Sequence, residues 1–260
     1  MIELDGVSFD YIDFKGKVHP LLEDISFCVD EHERVVLMGV NGSGKSTLMK
    51  IIDALIFPKK GIYRYNGEKI DKKSIKKLSR KFRKEVVFLM QDPNLLLFNA
   101  TVREEIAFGL HQFGFDQIER RVEEIAERFS LSRYLEIPPF SLSGGEKQRV
   151  ALAALLVIEP KVLLMDEPTA NLDPVTTGWL IDLLNDMKLT TIISTHNLSL
   201  AQELGDRILT LNNKHQIIYD GDIQNFVQDK ELLIEARLMH KHKHTHDDKV
   251  HSHYHLHEWD

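Results

Sequence analysis

The stretch GVNGSGKS, Gly39 to Ser46, constrains this chain more than any other. It has the spacing G-x-x-x-x-G-K-[ST]. It follows RVVLM (Arg34 to Met38), which reads as a buried strand, and opens STLMKIIDALIF, which reads as a helix stopped by Pro58. Strand, glycine-rich turn and helix in that order make a cradle for phosphate. Glycines at 39, 42 and 44 let successive backbone N–H groups turn inward, and the helix adds its positive N-terminus. Lys45 is placed to reach the β- and γ-phosphates of a nucleotide and Ser46 to ligate Mg²⁺, with Val40, Asn41, Ser43 and Thr47 completing the contact set.

The remainder alternates strand-period and helix-period segments, the pattern of an α/β protein around a largely parallel sheet. IYRYNGEKI carries Asn66-Gly67 between strand-like residues, a hairpin signal. Three capping boxes, Thr101 with Glu104, Asp116 with Glu119 and Ser143 with Glu146, announce helices. Ile118, Val122, Ile125 and Phe129 line one face of the second. Thr101 to Ile158 therefore reads as a helical insertion between the strands VVFL (86–89) and VLLM (162–165), within a subdomain of about residues 92–158.

Charge and composition exclude several classes. A net charge of −7 lacks the footprint of a nucleic-acid binder. The basic run between Lys59 and Lys84 reads as the solvated face of a helix, since only Phe82 interrupts its helical half. A single Cys28 allows no internal disulfide and suits a reducing cytosol. MIELDGVSFDY is too acidic for a signal peptide, and the longest apolar run, Ala151 to Ile158, is far short of the ~18 residues a membrane span needs.

Two further stretches bear on chemistry. In VLLMDEP an apolar strand delivers Asp166 and Glu167 to its carboxyl end, where parallel sheets hold ligands. Asp166 suits Mg²⁺. Glu167 suits orienting and activating an attacking water. An acidic pair can also be a plain solvated turn, but the apolar strand before it and the phosphate loop upstream argue otherwise. In LSGGEKQR (Leu142 to Arg149), Ser143 and Glu146 cap a glycine-lined helix whose N-terminus is open to an anion.

LSGGEKQR resembles the signature sequence of ATP-binding-cassette (ABC) ATPases, and the other motifs follow in that family's order. The resemblance covers about residues 2–236. It implies a P-loop NTPase core of the ABC ATPase type, with an antiparallel β subdomain and a helical insertion. It implies that Ser143, Gly144 and Gly145 meet the γ-phosphate of an ATP held by a second subunit. Gln91 in FLMQDP resembles the Q-loop glutamine that approaches Mg²⁺, and Asn171 to Asp173 resemble the D-loop of the dimer interface. His196 in ISTHN resembles the switch histidine, and Tyr11 the aromatic that stacks on adenine. On the same grounds Lys45, Gln91, Glu167 and His196 are expected to be the catalytic set.

Within the family, VSFDY, MQDPNLLLFNATVREEIAFG and SLSGGEKQRVALAALLVIEPKVLLMDEPTANLD resemble the ATP-binding subunits of energy-coupling-factor importers, particularly the cobalt and nickel branch. The resemblance implies ATP and Mg²⁺ as ligands and a second ABC ATPase subunit, identical or paralogous. It also implies a transmembrane coupling protein, a substrate-capture membrane protein and a place at the cytoplasmic face of a bacterial or archaeal membrane. The chain departs from the pattern twice. His32-Glu33 replaces the usual Gly-Glu before the phosphate-loop strand, and Leu97 stands where a polar residue often precedes the phenylalanine of the post-Q-loop segment.

The last segment sets the alternatives apart. From residue 237 hydrophobic periodicity stops and the chain is expected to be disordered, yet His240, His242, His244, His246, His251, His253, His255 and His257 are eight of the protein's thirteen histidines. Imidazole at this density suits Ni²⁺ or Co²⁺. A metal importer accounts for such a tail, whereas a vitamin importer does not; against a soluble cassette protein acting on DNA or the ribosome stand the single cassette, the lack of a long coiled-coil insertion and the small basic surface.

Overall fold

Alternation of apolar and polar residues in the first thirty positions folds as two long strands, β1 (Ile2–Ile12) and β2 (Val18–Val29). Ile2, Leu4 and Val7 of β1 and Leu22, Ile25, Phe27 and Val29 of β2 are buried, while Cys28 between them is exposed and free. After them come β3 (Arg34–Met38), α1 (Lys45–Ile52), β4 (Lys60–Tyr65) and β5 (Glu68–Lys69). The antiparallel sheet expected as a subdomain is present, with strand order β2-β1-β4-β5. Asn66 and Gly67 close its last hairpin with φ of 50° and 78°, the left-handed geometry their dipeptide favours. This computed structural model describes residues 1–170, 172–246 and 249–256, with side chains described as far as Met239.

The helix after the phosphate loop is shorter than its sequence suggests. It ends at Ile52, six residues before Pro58, because Ala54 turns left-handed (φ 52°). The N–H of Ala54 then bonds the carbonyl of Ile51, and that of Leu55 the carbonyl of Lys50, both at 2.9 Å. This double closure stops a helix without proline.

Contacts divide the chain into two units, Met1–Asp71 with Ile193–Asp260, and Lys72–Ile192. In the second, α2 (Ser74–Glu85) buries only Phe82 and exposes most of its lysines and arginines, the solvated face expected of the basic run. The fully buried β6 (Val86–Leu89) then leads to α3 (Val102–Phe113), α4 (Ile118–Arg128) and α5 (Gly144–Leu156). The chain continues through β7 (Val162–Asp166), which pairs parallel with β6 from Val86↔Val162 to Leu89↔Met165, α6 (Pro174–Asn185) and β8 (Thr190–Thr195).

Thr101 caps α3, its hydroxyl accepting from the N–H of Glu104 at 3.2 Å, and Ser143 caps α5 in a complete capping box. The box predicted at Asp116 does not form. Helix α4 begins one residue later, with Gln117 left-handed (φ 55°) at its N-cap, and Glu119 is drawn instead to Arg103, 2.9 Å away. Of the face predicted for α4, Val122 and Phe129 are fully buried and Ile118 and Ile125 half-buried.

Back in the first unit run α7 (Leu198–Leu204), β9 (Arg207–Leu211), β10 (Ile217–Asp222), α8 (Ile223–Gln228) and α9 (Lys230–Glu235). Strand β9 lies parallel to β3 and antiparallel to β10, so the sheet that carries the phosphate loop is mixed. Arg207 ties its edge together. It reaches both carboxylate oxygens of Asp220 (2.5 and 2.7 Å), Glu33 (2.8 Å) and the carbonyl of Cys28 (2.9 Å), and these acids hold its guanidinium more firmly protonated than usual. His32 has φ 65°, a left-handed position that favours glycine and that this chain fills with a side chain.

Residues Met239–His246 form β11 and Lys249–Leu256 form β12, an antiparallel pair. The alternation of histidine with other residues, which suggests ligand density, is also the period of a strand.

Candidate active site

In the first unit, β3 buries Val35, Val36, Leu37 and Met38 completely and hands the chain to Gly39. A Cβ on Gly39 (φ 151°) would lie 2.6 Å from the carbonyl oxygen of Leu211, and one on Gly44 (φ 111°) only 2.4 Å from that of Leu21. Neither position admits a side chain, and both close approaches clamp the loop between neighbouring strands. Gly44 is also the N-cap of α1, which has no side-chain cap and no acid in its first turn, so its N–H donors remain available to an anion. Lys45 is buried and donates from Nζ to the Gly39 carbonyl at 2.7 Å. Ser43 is 1% exposed and its hydroxyl has no hydrogen-bond partner.

A buried orphan hydroxyl, a buried lysine and an uncapped helix start fit polyphosphate. Ser46 lies exposed at the start of α1, with Thr47 and Val40 half-buried and Asn41 and Gly42 exposed. Tyr11, 55% exposed on β1, offers a free ring face, and His196 follows β8 half-buried. The next residue, Asn197, caps α7 through the N–H groups of Ser199 and Leu200.

One residue of this unit was missed by sequence reasoning. His215, in the turn between β9 and β10, brings Nδ1 to 3.1 Å from the Ser43 carbonyl and holds φ 65°, where a histidine is strained. Its partner is 172 positions away, so no local pattern pointed to it.

In the second unit every residue of β7 is buried, with Asp166 at its end 6% exposed and Glu167 just beyond it 8% exposed, which excludes the plain solvated turn. Glu167 has φ 47°, a costly conformation for a side-chain-bearing residue and one that recurs where catalytic groups are held in place. Gln148 of α5 donates to the carbonyl of Pro168 at 3.2 Å and steadies the turn. Gln91 is exposed just beyond β6.

After it, the buried Glu105 accepts from the N–H groups of Phe98 and Asn99, both at 2.8 Å, and from the Asn99 amide at 3.1 Å. The sequence did not single out Glu105, yet it shapes the loop that presents Leu95 and Phe98 beside Phe108 of α3. The two rings meet edge to face, 5.0 Å between centroids, and all three side chains are exposed.

At the start of α5, Ser143 accepts from the Glu146 N–H at 3.4 Å, while Glu146 accepts from the Ser143 N–H at 2.8 Å and from its hydroxyl at 2.7 Å. The Tyr134 hydroxyl also donates to Glu146, and with the Ser143 bonds it pulls that carboxyl down to about 2. Gly144 is exposed and Gly145 faces Thr176, whose Oγ1 would lie 3.3 Å from an added Cβ. Asp173 caps α6 through the N–H groups of Val175 and Thr176, and the Thr176 hydroxyl, the foremost of these partners, holds its carboxyl below the usual range. Asn171 and the side chains of the tail histidines lie outside the described residues.

The candidate residues are thus shared between two units: Tyr11, the loop from Gly39 to Thr47 and His196 in one, Gln91, Ser143 to Gly145, Asp166, Glu167 and Asp173 in the other. Among the described residues no group of three or more His, Cys, Asp or Glu could hold a metal ion, and no helix is long and apolar enough to cross a membrane.

The family described as ABC transporter matches residues 22–170. A protein of Caldanaerobacter subterraneus subsp. tengcongensis, named as an ABC transporter ATP-binding protein, is 42% identical over 92% of this chain and 99% of its own length. The energy-coupling factor transporter ATP-binding protein EcfA of Methanothermobacter thermautotrophicus is 36% identical over 92% of this chain and 76% of its own. Among solved structures, CbiO1 of Clostridium perfringens, part of the ABC transporter complex CbiONQ, superposes with a TM-score of 0.75 at 29% identity, covering 91% of this chain and 94% of that one.

Proposed function

Because the chain belongs to the ABC transporter family and is an ATP-hydrolysing transporter subunit of the kind found in energy-coupling-factor systems, we propose that it powers a membrane importer of nickel or cobalt. The observation that carries the metal reading is the tail, with eight histidines in its last twenty-one residues, His240 to Asp260. In neutral form these suit Ni²⁺ or Co²⁺.

In the proposed reaction Lys45 and the N–H groups from Gly39 to Thr47 hold the phosphates. Glu167 accepts a proton as a water oxygen bonds to the γ-phosphorus and the bond to the bridging oxygen of ADP breaks, and His196 steadies the γ-phosphate. Bound Mg²⁺, held by Ser46, Asp166 and Gln91, would neutralise charge on the phosphates. Ser143, Gly144, Gly145 and Asp173 act across a nucleotide sandwich with a second subunit, identical or paralogous. The coupling protein of the membrane is proposed to dock on Leu95, Phe98 and Phe108, next to Leu97, where the resemblance implies a polar residue. This subunit is proposed to lie at the cytoplasmic face of the membrane, in an assembly completed by a substrate-capture membrane protein.

Uptake of labelled Ni²⁺ and Co²⁺ by cells making this subunit with membrane partners tests the reading. Import is expected with the wild type and is expected to stop with Glu167→Gln, which loses ~10²–10⁴-fold in hydrolysis while still binding ATP and staying dimeric with it. Import of a labelled vitamin in place of either metal would overturn the substrate assignment and leave the ATPase role standing.

A further inference from the structure

Several arginines of the second unit are neutralised by acids. Arg103 bonds Glu119 and Glu136, Arg120 bonds Glu124 and Arg121 bonds Glu159, all at 2.7–2.9 Å. Arg133 and Arg149 are held differently. The guanidinium of Arg149, on α5, lies 4.6 Å from the centroid of the Trp179 ring, which the buried Phe129 braces edge to face at 5.4 Å. That of Arg133 lies 4.6 Å from the centroid of the Tyr134 ring and donates to the Tyr134 hydroxyl, which donates in turn to Glu146. Among the described residues neither arginine forms an ion pair. A guanidinium stacked on a ring keeps N–H groups along its edge for an anion and loses little freedom on meeting one.

Both arginines line one cavity of about 400 Å³, a size within the ~300–1,000 Å³ of small-molecule sites. Ser130 and Ser132 add hydroxyls to its wall and Leu131 an apolar surface. Ser130 is held at φ 57°, a costly conformation of the kind that recurs at ligand clamps. The one acid of the wall is Glu146, whose carboxylate already accepts from the Ser143 N–H, the Ser143 hydroxyl and Tyr134. Two positive charges therefore face one negative charge that is already well bonded. Ser143, Gly144 and Gly145 do not line the cavity, so it is separate from the glycine-lined start of α5.

We propose that this cavity binds a small organic phosphate. Arg133 and Arg149 take the phosphate oxygens, Ser130 and Ser132 donate to the same group, and Leu131 meets the apolar body of the ligand. The volume exceeds what a bare phosphate fills, which points to an ester.

Calorimetric titration of the full chain with phenyl phosphate, in excess MgADP so that the phosphate loop is filled, tests the site. The wild type is expected to bind one equivalent. Arg133→Gln and Arg149→Gln are each expected to bind at least ~10-fold more weakly, as the loss of a hydrogen bond between charged groups implies, with MgADP affinity unchanged. Arg120→Gln, which removes an arginine outside the cavity, is expected to match the wild type. Arg133 is exposed, so its variant remains informative even if Arg149→Gln, which gives up the Trp179 stack, folds poorly. No binding by the wild type, or an equal loss in all three variants, would overturn the site. Inorganic phosphate binding as tightly as the ester would overturn the organic ligand.

Discussion

Two glycine-flanked helix starts, α1 and α5, carry the two candidate anion-binding motifs of this chain, and they solve the same problem in opposite ways. Four N–H groups at a helix start need partners. At α1 the N-cap is a glycine with no side chain to offer, the first turn has no acid, and Ser43 beside it is buried without a partner. At α5 the N-cap Ser143 and Glu146 satisfy each other, and the Tyr134 hydroxyl donates to the same carboxylate. One start is left wanting a ligand. The other is complete as it stands and presents exposed Gly144 beside its cap. The difference suits the proposed roles, a loop that captures nucleotide within one chain and a helix that presents itself, preformed, to an ATP held by a second subunit.

Breaking the open start should have the larger effect. Gly44→Val drives a side chain into the Leu21 carbonyl and moves at least two N–H donors, each worth about 1.5–3 kcal/mol against a charged partner. ATP affinity is expected to fall ~100-fold or more, measured by fluorescent-nucleotide titration. If affinity holds, α1 is not the nucleotide cradle. His215→Ala should act in the same direction more weakly. Losing the bond to the Ser43 carbonyl costs about 1 kcal/mol of folding stability, read by denaturant titration, and loosens the loop so that ATP binds more weakly than to the wild type but far less so than in Gly44→Val.

At the closed start the expected pattern is reversed. Ser143→Ala should cost about 1 kcal/mol of stability in denaturant titration and leave ATP binding to a single subunit unchanged. Equal loss of nucleotide affinity in Ser143→Ala and Gly44→Val would erase the distinction between the two starts.

The smallest effect is the titration of Glu146. Its carboxyl sits at about 2 in the folded chain, below its ordinary 4.5, so its stabilisation of the cap is complete above about 4.5 and fades as pH falls toward about 2. Amide-exchange protection at Gly144 to Glu146, relative to the unfolded chain at the same pH, should fall across that window in the wild type and show no such step in Glu146→Gln.

Much of the molecule is legible in short stretches of its sequence. GVNGSGKS between an apolar strand and a helix requires a phosphate loop whatever surrounds it, because the backbone N–H geometry follows from glycine and helix alone. Ser143 and Glu146 are three apart, so their reciprocal cap is a local matter. Asn66-Gly67 closes a hairpin for the same reason. Where local rules failed, a distant partner or a local conformational choice had intervened. Arg103 drew Glu119 away from the box expected at Asp116, and left-handed Ala54 ended α1 ahead of Pro58.

Residue identity and spacing set the chemistry on offer: which loop can hold phosphate, which acids end an apolar strand, which residues can cap a helix, and that the tail is rich in imidazole. How those groups are held was settled by the folded chain alone. Folding placed His215 against the Ser43 carbonyl, bent Glu105 back onto the Phe98 loop, buried Glu167 with φ 47°, and set the histidines of one arm opposite those of the other. Motifs are short because the chemistry of a turn or a cap is completed within a few residues. Burial, strain and strand register arise between residues far apart along the chain, where no short pattern reaches.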